Sequence, residues 1–142
     1  MSKIFLDTNV LVYLADYSNR GKQERCRILY RKLAEQRRAV ISTQVLQEYF
    51  VSVVRKIGVD PMEAKHSMTG FEQLEVVVNN TELIREAIDI TVLNRISFWD
   101  ALILAAAASA RCSYLLSEDM QDGTAIRGIR IVNPFGEAAL RA

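Results

Sequence analysis

Asp7 follows the apolar run Lys3-Ile4-Phe5-Leu6 with no spacer and opens the tetrapeptide Asp7-Thr8-Asn9-Val10. A carboxylate at the end of a buried strand is costly unless a cation or hydrogen-bond donors meet it there. The pattern returns near the other end, where Ser113-Tyr114-Leu115-Leu116 runs into Ser117-Glu118-Asp119. Between them, Trp99-Asp100-Ala101-Leu102-Ile103 sets a third acid at the head of the most apolar stretch of the chain. Three carboxylates, each joined to a segment that has to be buried, point to a metal site.

The intervening sequence alternates strand and helix signals. Thr8 or Asn9 is expected to cap a first helix through Leu14, which the turn-rich patch Asp16–Gly21 ends. Cys26, Leu29, Tyr30 and Leu33 form a one-sided apolar stripe on a helix from about Lys22 to Gln36. Ala39–Ser42 reads as a strand, followed by a helix over Thr43–Lys56 that buries Val45, Leu46, Tyr49, Phe50, Val53 and Val54. Asp60-Pro61-Met62-Glu63 joins an N-cap, a proline at the first helical position and a capping-box acid, so another helix starts there. Glu75–Asn79 reads as a strand, and a helix opening at Asn80 or Thr81 turns Leu83, Ile84, Ala87 and Ile88 inward. Ser97 starts a helix from Phe98 to about Ala110, apolar nearly all round and therefore buried; Tyr114–Leu116 and Ile129–Val132 complete the strands. Short strands alternating with helices predict an α/β fold with a mainly parallel sheet covered on both faces, as one domain over residues 1–142.

Composition removes several function classes. The longest apolar stretch, Ala101–Ala108, is too short to span a bilayer, and no signal peptide is legible, so a cytoplasmic protein with no membrane partner is expected. Two cysteines, Cys26 and Cys112, are too few for a disulfide framework and read as reduced, buried small residues. The single histidine, His66, reads as a surface helix residue and leaves no basis for a His-rich zinc site or a Ser-His-Asp triad. The formal charge is +1, yet Arg20–Arg38 holds eight basic residues against two acids. Such a segment beside an acidic cluster suits phosphate contacts, and serves equally well as a solvated helix face.

In open α/β sheets the functional crevice lies beyond the carboxyl ends of the strands, where Asp7 and Asp119 fall. Asp100 also fits a Ser97-x-x-Asp100 capping box, a purely structural use of an acid. Glu48 lies on the polar flank of its helix, near the same edge, and reads equally as an exposed glutamate. Glu118 and Asp122 flank Asp119 and could share its role, although Asp119–Gly123 reads as a tight loop. Carboxylates converging without His or Cys suit Mg²⁺ or Mn²⁺, and such a site hydrolyses phosphodiesters with metal-activated water.

Taken in order, Asp7-Thr8-Asn9-Val10, Glu48, Phe98-Trp99-Asp100-Ala101-Leu102-Ile103 and Leu116-Ser117-Glu118-Asp119-Met120 resemble the PIN domain, in its VapC-like group of toxin ribonucleases. The resemblance implies a PIN-like three-layer α/β/α fold and a Mg²⁺- or Mn²⁺-dependent endoribonuclease, the toxin of a type II toxin–antitoxin pair. Its catalytic acids would be Asp7, Glu48, Asp100 and Asp119, with Asp7, Asp100 and Asp119 as metal ligands. Ser117 and Asn9 match supporting polar positions. Implied partners are an RNA substrate, a cognate antitoxin and a second copy in a homodimer, for which aromatics near Tyr13, Tyr17 and Tyr49 are available. The alternative reading is a catalytically silent PIN-fold module that binds RNA or protein. A phosphatase of the haloacid-dehalogenase type wants an acid where Asn9 stands, and a receiver domain wants a late lysine that is missing.

Overall fold

The computed structural model describes residues 1–142, which form β1 (Ile4–Leu6), α1 (Thr8–Leu14), α2 (Arg20–Glu35), β2 (Ala39–Ser42), α3 (Thr43–Ser52), α4 (Pro61–Phe71), β3 (Glu75–Val77), α5 (Thr81–Asn94), α6 (Phe98–Ser109), β4 (Tyr114–Leu116), β5 (Ala125–Ile126), β6 (Ile129–Val132) and α7 (Ala138–Arg141). The six strands make one sheet in the order β3-β2-β1-β4-β6-β5. Every pairing is parallel except that of the edge hairpin β5–β6. β1 lies at the centre with all three residues buried, as expected of a strand covered by helices on both faces. Because β1, β2 and β4 run parallel, Asp7, Ser42 and Ser117 leave the sheet at the same edge.

Caps fix where the helices begin. Asn19, Ser42, Asp60, Asn80 and Ser97 each accept from a backbone N–H of the first turn, satisfying donors that have no partner within the helix. The first helix differs from expectation: its cap is Asp7, whose carboxylate accepts from the Thr8 N–H at 2.8 Å, so Thr8 and Asn9 are already helical. The helix expected to run to Lys56 ends at Ser52 and passes into a π-helical turn, Val53–Ile57. Gly58 closes that turn at φ +82°, a conformation that costs glycine little.

Residues 101–107 of α6 are all buried, and Leu104 has no exposed surface. Leu104→Ala is expected to cost about 3 kcal/mol, a transfer loss plus an unfilled cavity. Urea denaturation checks this through a midpoint lowered by about 1–2 M at unchanged slope.

Two expectations about facing are corrected. Phe50 is exposed on α3, because the buried stripe there is Val45, Leu46 and Tyr49. Ile84 and Ile88 also lie at the surface, since Leu83, Ala87 and Ile90 take the inward positions of α5. Cys26 and Cys112 are buried and unpaired, and His66 is exposed. No single helix is long and apolar enough to cross a membrane.

Candidate active site

At the carboxyl edge of the sheet lies a cleft of about 380 Å³ whose wall includes Asp7, Glu48, Asp100 and Asp119. The end of β1 brings Asp7, and α3 brings Glu48. The first turn of α6 brings Asp100, and the segment after β4 brings Asp119. Thr8, Asn9, Gln44 and Trp99 complete much of the lining.

Asp7 is the most enclosed of the four acids, at 7% exposure. One carboxylate oxygen accepts from the Thr8 N–H and the other from Ser117 Oγ, at 2.7 Å. Burial raises its pKa from 3.8 to about 6. Those two hydrogen bonds oppose the rise, while the charges of Glu48 and Asp100 add to it. Asp100 is raised for the same leading reason, burial, partly offset by Ser97 and reinforced by Asp119. The capping box expected at Ser97 is formed in part, for Ser97 Oγ accepts from the Asp100 N–H at 3.1 Å. Asp100 thus heads α6 and faces the cleft at once. Glu48 is only partly exposed: Thr8 Oγ1 donates to it at 2.8 Å and Gln44 Nε2 at 3.5 Å. The amide of Asn9 donates to Asp119.

Glu118 and Asp122 do not line this cleft. Glu118 points the other way, accepting from Tyr13 Oη at 2.6 Å and from Lys22 Nζ. Its carboxyl is held below the usual range by those two donors, against the opposing effect of burial. Lys22 also lies 4.8 Å from the Phe135 ring centroid and 5.2 Å from that of Tyr13. Asp122 instead accepts from the Asn133 N–H at 2.8 Å.

No three acidic side chains, as they stand, are close enough together to chelate one ion. The surroundings nevertheless suit a hard divalent cation. The donors are all oxygens, burial and mutual repulsion have raised two of the carboxyls, and Gln44, at 4% exposure, keeps an amide oxygen with no hydrogen-bond partner. Sequence reasoning missed Thr8 and Gln44. The four-residue spacing of Gln44 and Glu48 on one helix was the available signal.

The PIN domain family model matches residues 4–121. Among solved structures, the chain is similar to a DNA-bound VapBC complex from Salmonella typhimurium, with 23% identity over 94% of this chain and 99% of that one and a TM-score of 0.69. A toxin–antitoxin complex from Klebsiella pneumoniae gives 20% identity, 94% and 98% coverage and a TM-score of 0.66. VapC20 from Mycobacterium tuberculosis, described as a sarcin-ricin-loop-cleaving toxin, gives 18% identity, 82% and 92% coverage and a TM-score of 0.67. A comparison with curated proteins returns no match.

Proposed function

The chain belongs to the PIN domain family, and from that premise we propose that residues 1–142 form a single PIN-like domain acting as a cytoplasmic, metal-dependent endoribonuclease, the toxin of a toxin–antitoxin pair. The observation that carries the reading is the convergence of Asp7, Glu48, Asp100 and Asp119 on one cleft at the carboxyl edge of a parallel sheet. The similar complexes of toxin with antitoxin support a cognate antitoxin as partner, and VapC20 supports RNA as substrate.

Asp7, Asp100 and Asp119 would hold Mg²⁺ or Mn²⁺. When bound, the ion supplies Lewis-acid activation of water and neutralises charge at the phosphate. Ser117 and the Thr8 N–H orient the two oxygens of Asp7, while Asn9 orients Asp119. Glu48, braced by Thr8, is the acid left to accept a proton from an attacking water or to position it. For a homodimer, the support comes from α5 and the start of α6 rather than from Tyr49, which is buried. Ile84, Ile88 and Val92 repeat every fourth residue on α5, and with Trp99 they expose an apolar face.

Purified protein with a mixed, end-labelled RNA pool tests the reading. Cutting in Mg²⁺ or Mn²⁺ that stops in EDTA and returns when either ion is restored is the expected outcome. RNA that is bound but left uncut under every one of those conditions would favour the silent binding module.

A further inference from the structure

Asn9 lines two cavities, the acidic cleft and a neighbour of about 520 Å³ whose other walls include Tyr13, Tyr17 and Lys56. Asn9 and Tyr13 are four residues apart on α1, so they share a face. Ser52 lies in the cleft and Lys56 in the second cavity, about one turn further along α3 and the π turn. The two cavities therefore adjoin at Asn9, with the acids on one side and Tyr17 on the other.

Tyr17 keeps 62% of its surface exposed. The guanidiniums of Arg20 and Arg27 lie 5.5 and 5.7 Å from its ring centroid, and Arg27 also reaches its hydroxyl at 3.4 Å. Much of the rest of the basic segment is committed elsewhere. Lys22 binds Glu118, Arg25 the carbonyls of Pro134 and Gly136, Lys32 that of Leu140 and Arg38 that of Ser2. Arg20, Arg27 and Lys56 pair with no acid. Lys56 thus lines the second cavity and Arg20 and Arg27 lie against the partly exposed Tyr17 ring at its wall, while the one acid of that cavity, Asp16, accepts from the N–H and hydroxyl of Ser18. An acidic peptide would use the cations but has no need of the ring, and an apolar peptide would use the ring alone. Single-stranded nucleic acid uses both, stacking bases on aromatic faces while its phosphates meet Lys and Arg.

We propose that Tyr17 is a base-stacking subsite for the RNA strand beside the scissile phosphate, with Lys56, Arg20 and Arg27 contacting its backbone. The proposal rests on the nuclease reading above. The test uses fluorescein-labelled random-sequence RNAs of four and of twelve nucleotides, cut by wild type, Tyr17→Ala, Tyr17→Phe and Lys56→Gln over a range of salt. Tyr17→Ala should raise KM for the longer RNA about tenfold, the loss of one stacked base, with kcat within about twofold of wild type. Tyr17→Phe keeps the ring and should match wild type, and the short RNA should respond far less. Lys56→Gln should reduce the salt slope by about one, whereas Tyr17→Ala leaves the slope unchanged. An active wild type with an unaltered KM in Tyr17→Ala overturns the subsite alone, as does equal loss in Tyr17→Phe. A wild type that neither binds nor cuts either RNA overturns the nuclease reading, and the subsite with it.

Discussion

Asp7→Asn should reduce RNA cleavage about a thousandfold or more and, in the metal-free protein, raise the melting temperature at neutral pH. The two effects have one cause. Asp7 is buried against Glu48 and Asp100, with a pKa raised from 3.8 to about 6. A carboxyl whose folded pKa exceeds its unfolded value costs nothing below the unfolded value. Its cost grows between pH 3.8 and 6 and is complete above 6, so stability falls as pH rises through that window. At about 1.4 kcal/mol per pKa unit the charged form costs about 2–3 kcal/mol at pH 7, or about 5–10 °C for a chain of this size. Asparagine removes that cost and still offers an oxygen to the Thr8 N–H and an amide to Ser117 Oγ. The melting-temperature gap between variant and wild type should therefore be widest at pH 7 and close towards pH 4 in scanning calorimetry with EDTA present. A divalent ion should reverse the order by stabilising wild type alone. Its affinity for wild type should weaken below about pH 6, as protons compete for Asp7. A variant less stable than wild type at pH 7 without metal would show that the charged Asp7 carboxylate carries no net cost in the fold.

That double duty also marks the limit of what the sequence made legible. Strand positions were readable because buried β-branched runs and helix stripes have different periods, and Ala39–Ser42, Tyr114–Leu116 and Ile129–Val132 fall where expected. Helix starts at Asp60, Asn80 and Ser97 were readable because a cap is a local chemical event. The two-residue strand Ala125–Ile126 has no period to detect and exists only through its pairing with β6. Facing failed where apolar residues exceed the space beneath them: Ile84 and Ile88 are as apolar as Ile90, and nothing local says which will be covered. At the cleft, Asp7, Asp100 and Asp119 were legible as acids joined to buried segments. The inward aim of Glu48 depends on Thr8, forty positions away, and such a contact leaves no local trace. The basic segment over Arg20–Arg38 misled in part, because Arg25 and Lys32 tie α2 to the C-terminal stretch and Arg38, just before β2, holds the N-terminus.

Glu118→Lys should lower cleavage about a hundredfold although Glu118 does not line the cleft, a loss typical of groups that orient ligands from behind. Glu118 sits between Ser117, which donates to Asp7, and Asp119, which accepts from Asn9. Its carboxylate fastens that segment to α1 through Tyr13 and to α2 through Lys22. A lysine there would face Lys22 and push the segment outward, moving Ser117 and Asp119 together. Lys22 and Glu118 are 37% and 24% exposed, so solvent screens the pair and it should contribute little to stability. Activity should therefore fall far more than melting temperature, in kcat and in metal affinity rather than in KM for RNA. Glu118→Gln keeps an acceptor for Tyr13 and Lys22 and should lose only a few-fold. Combining Glu118→Lys with Lys22→Glu restores opposite charges across the same gap. The double variant should regain at least about tenfold, a coupling expected of residues in direct contact. If the double variant merely adds the two single losses, the pair acts separately and the positioning role of Glu118 is wrong. If melting temperature and activity collapse together, the contact is a fold element and its place beside Asp119 has no consequence for the chemistry.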